Sequence, residues 1–331
     1  MATLILDGSH LKLRCDGAAA LAMYEGGERR GTVPLKLIER VVLQGNIQLD
    51  TSVLGRLAQT SVPTILLGAR SSRRVATLLG PAHRDASIRL GQFQRSLDAA
   101  WCTTWSRRLV LRKARAQLRL LRRALDDRPE ARKPLFGAIE TIEAIVRSLA
   151  GDLGIVRERV RGYEGACAAA YFRGYCALFA ESLAFRGRNR RPPKDPVNAA
   201  LSLVYTLLNF DAVRAAHAAG LDPMVGFYHR PAHGRESLAC DLIEPLRPHA
   251  DSWIRMLFCD RVLRAEHFSG DNGECLLGKA GRERFYAVWE SHAPTSRRWL
   301  RRNCAALAAA LRGCGDTLHD EPVEADGVED P

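Results

Sequence analysis

Three short segments, far apart in the sequence, each contribute to a candidate set of one imidazole and three carboxylates. They are GYEGACAAAYF (Gly162 to Phe172), LDPMVGFYH (Leu221 to His229) and RESLACDLIEPLRP (Arg235 to Pro248). Glu164, His229, Asp241 and Glu244 are the side-chain types that hold a divalent cation through carboxylate oxygen and imidazole nitrogen. Carboxylates gathered around such a cation, in an otherwise strongly basic chain, point to phosphodiester chemistry on nucleic acid.

Each residue has a distinct local setting. Glu164 lies in a helical stretch among small neighbours (Gly162, Gly165, Ala166, Ala168, Ala169), which let another segment approach the carboxylate. His229 ends the run Met224 to His229 after Asp222-Pro223, in a loop or at a strand end. Asp241 and Glu244 stand at i and i+3 and share a face if helical. Ser237 is a candidate N-cap for that helix, and Pro245 limits it just after Glu244. Two like charges side by side repel unless a cation lies between them, and either a metal or the arginines Arg235 and Arg247 can supply it.

The 331 residues suffice for two domains, and 49 Lys+Arg against 37 Asp+Glu give a net charge of +12. The tail from Asp316 onward carries seven carboxylates and no Lys or Arg, so the body without those seven is nearer +19. Such a body attracts polyanions, nucleic acid foremost. The nine cysteines form no CxxC pair and read as reduced thiols in a cytoplasmic protein. The N-terminus lacks the pattern of a signal peptide, and no apolar run approaches the roughly 20 residues that span a membrane.

The elements that must position these residues change character near residue 80. Residues 1–80 read as β-rich, with short apolar runs punctuated by Asp7-Gly8, Asp16-Gly17, Gly26-Gly27 and Gly45-Asn46. One helix fits Thr51 to Gln59, capped by Thr51 or Ser52. Residues 81–93 read as a linker and 94–315 as a helical domain, followed by an acidic, disordered tail over 316–331. The expected fold class is α+β, a sandwich-like β domain followed by a larger all-α domain. Helices fit Arg84 to Trp105, Ser106 to Leu125, Lys133 to Leu149, Ile155 to Leu183, Pro196 to Ala219, Ala250 to Glu266, Lys279 to Glu290 and Thr295 to Leu311. In the second of these, Leu111, Ala114, Leu118, Leu121 and Leu125 form an apolar seam. Arg108, Arg112, Arg115, Arg119 and Arg122 run beside it, as a solvated face or a phosphate-contacting one. Asp195-Pro196 and Gly220 are start and stop signals for the helix between them.

Taken together, the three segments resemble the CRISPR-associated integrases of spacer acquisition, the Cas-one family. The family's first motif, roughly G-x-E-G-x-A-A-x-x-Y, is matched by Gly162, Glu164, Gly165, Ala168 and Tyr171, with Cys167 in place of an alanine. Its G-F-x-H ending appears as Gly226 to His229. Its S-L-x-x-D-L-x-E-P-x-R-P motif appears as Ser237-Leu238, Asp241-Leu242, Glu244-Pro245 and Arg247-Pro248, with Cys240 an unexpected residue between them. The stretches Val33 to Leu43, Ser61 to Leu67, His83 to Phe93 and Arg190 to Tyr205 are also similar to family segments.

The resemblance implies a metal-dependent DNA endonuclease and integrase that inserts short duplexes into a CRISPR array through attack by a 3′-hydroxyl; the alternatives are a non-catalytic DNA-binding scaffold and an unrelated metal-dependent repair nuclease. It implies Glu164, His229 and Glu244 as ligands of Mg²⁺ or Mn²⁺. Asp241 is implied to assist, as an orienting group or alternate ligand, and Glu244 to be a cleft-lining residue whose removal spares the fold. It further implies a homodimer joined through the β domains. Two such dimers would flank a small ferredoxin-like Cas-two dimer in a heterohexamer, acting on double-stranded DNA. Candidate phosphate contacts are the Arg108 to Arg122 row, the loop carrying Arg186, Arg188, Arg190, Arg191 and Lys194, the Arg297, Arg298, Arg301 and Arg302 group, and Arg235 and Arg247 of the third segment.

Overall fold

The structure is a computed structural model that describes residues 2–68, 74–81, 83–189, 192–271 and 273–316. The acidic segment 317–331 and the loop residues Arg190 and Arg191 lie outside the described residues. The strand-rich half comprises β1 (Ala2–Asp7), β2 (Leu11–Asp16), β3 (Ala20–Glu25), β4 (Glu28–Pro34), β5 (Ile38–Gln44), β6 (Gln48–Leu49), α1 (Thr51–Gln59), β7 (Thr64–Leu67) and β8 (Arg74–Leu78). One sheet has the order β1-β5-β7-β8 and the other β4-β3-β2-β6. β5 runs parallel to both β1 and β7, and α1 lies in the crossover that the parallel β5–β7 pair requires.

Side-chain alternation along β5 decides what each half touches. Val41 and Leu43 pack with Leu13 and Leu21 of the second sheet and with Val53 and Leu57 of α1. Val42 faces the opposite way, with Ile65 and Leu67 of β7, onto Phe210 of the helical half. Arg40 and Gln44 share the parity of Val42, so they too are turned toward the helices. Arg40 pairs with Asp211, and Gln44 accepts a bond from the Tyr286 hydroxyl at 3.1 Å.

The helical half comprises α2 (Ser87–Leu97), α3 (Ala99–Asp127), α4 (Arg132–Gly151), α5 (Arg157–Cys176), α6 (Pro196–Ala218), α7 (Ser237–Ile243), a single 3-10 turn over Glu244–Leu246, α8 (Arg247–Cys259), a hairpin of β9 (Phe268–Asp271) and β10 (Glu274–Leu277), and α9 (Lys279–Asp316). The expected α+β class holds, strands first and helices after. Among the described residues no helix is long and apolar enough to cross a membrane. α6 starts and stops where its signals predict. Asp195 accepts from Asn198 N at 2.8 Å with Pro196 in the first turn, and Gly220 follows at φ 80°, where an added Cβ would lie 2.9 Å from His83 Nδ1.

Several boundaries differ from the expectation for physical reasons. The chain breaks at Asp98 rather than near Trp105, because the Asp98 carboxylate accepts from Trp101 N at 2.9 Å and caps α3. α2 thus begins inside the stretch read as a linker. At α1 the N-cap is Asp50, without a side-chain bond, rather than Thr51 or Ser52. α5 ends at Cys176, short of Leu183. α9 merges two expected helices by running through Pro294, held by fully buried Ala293 and Leu300 on either side. Tertiary burial there outweighs the roughly 3 kcal/mol that an interior proline costs.

Arg297 is also not where a phosphate contact requires it. It is buried at the junction of the two halves, with Nε 3.3 Å from Asp211 Oδ2 and its terminal nitrogens 2.9 and 3.0 Å from the Glu290 carboxylate. Arg298, Arg301 and Arg302 of the same group remain exposed.

Candidate active site

Glu164 and Glu244 converge on one ammonium. Lys113 of α3 forms an ion pair with Glu164 Oε1 of α5, and its Nζ lies 2.7 Å from Glu244 Oε2. Arg247 Nε lies 2.9 Å from the other Glu244 oxygen, and its guanidinium sits over the Tyr205 ring at 4.4 Å. Burial opposes the charge on Glu244, but Arg247 and Lys113 overcome it and hold the carboxyl far below the usual carboxylate range. Burial likewise works against the Lys113 ammonium, which Glu244 and Glu164 raise above the ordinary lysine value. The small residues around Glu164 are not covered by another segment. A Cβ on Gly162 or Gly165 would meet nothing within 4 Å, so no segment packs against these two glycines.

His229 is delivered by a loop pinned from three sides. Asp241, fully buried on α7, accepts from the backbone N–H of Phe227 at 2.7 Å, of Tyr228 at 2.9 Å and of His229 at 2.9 Å. His229 Nδ1 lies 2.7 Å from Asp241 Oδ1, which leaves Nε2 as the ring nitrogen available to a ligand. Gln92 of α2 donates to the carbonyls of Asp222 and Val225 at 2.9 and 2.7 Å. Arg157 of α5 donates to the carbonyls of Phe227 and Tyr228 at 2.5 and 3.0 Å. Gly226 makes the close approach possible, since a Cβ there would sit 2.7 Å from Ser237 C and 2.9 Å from Asp241 Oδ2. Both Asp241 oxygens are thus engaged with the loop backbone and the His229 ring. Ser237 is the first residue of α7 rather than its cap, and makes no capping bond there.

As placed, no three His, Cys, Asp or Glu side chains among the described residues stand close enough together to hold a metal ion. The donor set still fits a hard divalent cation: two carboxylates, an imidazole nitrogen, and a cation already standing between the carboxylates in the form of Lys113.

The basic residues divide into two kinds. Arg247 is tied to Glu244 and Tyr205, so it is a partner of the acidic cluster rather than a surface contact. Arg188 turns inward, with Nη1 2.7 Å from Asn198 Oδ1 and its guanidinium 5.4 Å from the centre of the Tyr205 ring. Arg235 is partly buried and bonds the Arg230 carbonyl. Arg186 and Lys194 are exposed, and their loop is tethered where Cys275 N of β10 donates to Pro193 O at 2.7 Å. Arg108, Arg112, Arg115 and Arg119 are exposed along α3 and form no ion pair among the described residues. Arg122, at the end of that row, pairs with Glu143 at 2.6 Å.

Lys113, Gln92 and Arg157 are parts of this architecture that motif reading passes over. A signal for Lys113 does exist. Ser106, Val110, Lys113, Gln117, Leu120 and Ala124 form a second buried row on α3 with 4-3-4-3-4 spacing. A row at helical spacing that holds Ser, Lys and Gln among apolar residues marks buried polar contacts. Below the cluster, Asp251 accepts from the Tyr171 hydroxyl at 2.7 Å and from the Tyr205 hydroxyl. Burial pushes its carboxyl from 3.8 up to about 6, against the pull of those two hydroxyls and of Arg247. The folded chain therefore keeps a proton that the unfolded chain has already released. Stability from this residue falls as pH rises through the window from 3.8 to about 6, by up to about 3 kcal/mol. Unfolding free energies of wild type and Asp251→Asn across pH 4 to 7 check this. Their difference should decline over that window, and a flat difference contradicts it.

The model of the CRISPR associated protein Cas1 family matches residues 4–291. A CRISPR-associated endonuclease Cas1 from Thermodesulfovibrio yellowstonii is 37% identical over 299 residues, 88% of this chain and 91% of that protein. Among solved structures, a CAS1 protein from Thermotoga maritima superposes with TM-score 0.80 at 20% identity, covering 95% of this chain and 97% of that one. A casposase bound to integration product gives 0.79 at 20% identity, covering 95% and 91%. A Cas6-RT-Cas1–Cas2 complex also gives 0.79 at 20% identity, with 95% of this chain on 35% of that one. With a family match over most of its length and a relative this similar, the chain belongs to the CRISPR-associated Cas1 family.

Proposed function

We propose that this chain is a metal-dependent DNA endonuclease and integrase that joins the 3′-hydroxyl end of a short duplex to a phosphodiester of a CRISPR array. The observation that carries this reading is the convergence of Glu164 and Glu244, from two separate elements, on one buried positive charge, with the His229 imidazole near enough to act electrostatically on Glu244. Glu164, Glu244 and His229 would hold Mg²⁺ or Mn²⁺. When bound, such an ion supplies charge neutralisation at phosphorus and eases deprotonation of the attacking hydroxyl. The two carboxylates provide the oxygen donors that a hard divalent ion prefers. Asp241 holds the His229 ring by Nδ1, so that Nε2 is presented without a search over rotamers. In the reaction a new P–O bond forms to the incoming 3′-oxygen, and the existing bond to the array's 3′-oxygen breaks and takes up a proton.

The exposed arginines of α3 supply phosphate contacts, together with Arg186, Lys194 and the loop residues Arg190 and Arg191. If each α3 arginine neutralises one phosphate, Arg112→Ala and Arg119→Ala should each lower the slope of log affinity against log salt by about 0.9. Duplex binding at a series of salt concentrations checks this, and an unchanged slope removes α3 from the interface. The likeness to chains solved with a Cas2 protein and with an integration product supports a small Cas2-type partner and duplex DNA as ligands. A homodimer through the β domains, with two dimers flanking the partner in a heterohexamer, is part of the same proposal.

The deciding experiment is strand transfer of a labelled short duplex into a plasmid carrying a CRISPR repeat, with Mg²⁺, Mn²⁺ or EDTA, comparing wild type with Glu164→Ala. Joining that requires metal and disappears in the variant is the expected result. Equal DNA binding by both proteins without joining in any metal would instead support a non-catalytic scaffold.

A further inference from the structure

The geometry points to Lys113 as a resident counter-ion that a divalent cation must displace, so that this one ammonium sets the affinity of the Glu164–Glu244 pair for metal. The inference rests on the metal-site reading above and adds a residue to it. Lys113 Nζ contacts one oxygen of each carboxylate, and so occupies the space between them that an ion bridging both would need. Together with Arg247, Lys113 makes the cluster neutral: two carboxylates against two side-chain cations. A neutral cluster has no strong pull on a dication, whereas the same cluster without the ammonium carries a net negative charge.

Of the two cations, Lys113 is the one able to leave. Arg247 is held against Glu244 and over the Tyr205 ring, and its planar group is committed to both. Lys113 carries a compact point charge on a flexible four-carbon stem, with no planar group to be clamped in one orientation. One turn further along the same buried row of α3, Gln117 Oε1 is buried with no hydrogen-bond partner. Residues at i and i+4 are neighbours on a helix face, so this orphaned acceptor lies within the reach of a withdrawn ammonium. An unmet acceptor beside a movable donor is the arrangement expected of a side chain with two positions. In the first position Lys113 keeps two carboxylates paired and the fold intact without metal. In the second it donates to Gln117 and leaves both carboxylates to the ion.

Titration of the full-length chain with MnCl₂ by calorimetry tests this, on wild type, Lys113→Met, Lys113→Arg, Gln117→Leu and Glu244→Gln. Lys113→Met should bind Mn²⁺ at least about tenfold tighter than wild type, by removal of a like charge beside the ion. Lys113→Arg, which keeps the charge, should bind no tighter than wild type. Gln117→Leu should bind several-fold more weakly, because the withdrawn ammonium loses its acceptor. Wild-type or weaker affinity in Lys113→Met, with binding abolished in Glu244→Gln, overturns the role of Lys113 and leaves the metal site standing. Absence of Mn²⁺ binding in both wild type and Lys113→Met overturns both. Should Lys113→Met be unstable in EDTA, its melting with and without MnCl₂ gives the same answer. The Mn²⁺-induced rise in Tm should exceed that of wild type, and an equal or smaller rise counts against the inference.

Discussion

Glu244→Ala is expected to lower metal-dependent strand transfer by roughly a thousandfold or more, about 4 kcal/mol of barrier, and to destabilise the fold at the same time. The resemblance implied only the first effect, with Glu244 as a cleft-lining residue dispensable for folding. The burial and pairing of Glu244 argue against the second half of that expectation. Glu244 is 5% exposed and lies between Lys113 and Arg247. Its removal leaves two buried cations facing one remaining carboxylate, that of Glu164, and breaking a buried pair from one side costs about 3–5 kcal/mol. Thermal unfolding of Glu244→Ala in EDTA should show a clearly lowered Tm. Glu244→Gln keeps the shape but also loses the charge, so it should fall between wild type and alanine in stability while remaining inactive. A Tm of Glu244→Ala equal to that of wild type would mean that the buried cations rearrange to solvent without cost, and would restore the simpler reading.

The second large effect belongs to the junction of the two halves. Asp211 is fully buried and bonded to both Arg40 from β5 and Arg297 from α9. Asp211→Ala is expected to cost about 3–5 kcal/mol, because two desolvated guanidiniums lose a shared counter-charge. Glu39 and Glu290 remain beside Arg40 and Arg297, so the loss should not reach the sum of two independent pairs. A double change, Arg40→Met with Asp211→Leu, should recover part of the loss, since an apolar pair of similar volume avoids the desolvation that the ions undergo. Equilibrium unfolding in urea measures all three. A midpoint for Asp211→Ala within error of wild type would show that this junction contributes little to holding the β domain on the helices.

Much of the architecture is legible because it rests on local rules. The strand-to-helix change near residue 80, the limits of α6 and the helix around Glu164 follow from periodicity, from the Asp195-Pro196 start and from the Gly220 stop. What escapes are features decided by partners distant in sequence. Asp98 interrupts a helical pattern because its side chain prefers to cap, whereas Pro294 fails to interrupt one because its flanks are buried. The β9–β10 hairpin is too short to stand out of its surroundings, yet it tethers the loop that precedes α6.

The candidate chemistry divides in the same way. By itself the sequence determined which residue types are present, Glu164, His229, Asp241 and Glu244, and in which motifs they stand, since ligand chemistry is a property of the side chain. Only the tertiary structure decided their surroundings. It placed Asp241 beneath the His229 loop with both oxygens engaged, and it buried Glu244 between two cations. It turned Arg247, Arg188 and Arg297 inward while leaving the α3 arginines exposed. It also brought Lys113, which no motif marks, between the two carboxylates. The physical reason is that a charge takes its meaning from burial and from its nearest opposite charge, and both are set by contacts between α3, α5 and the turn at Glu244, which lie far apart in the sequence.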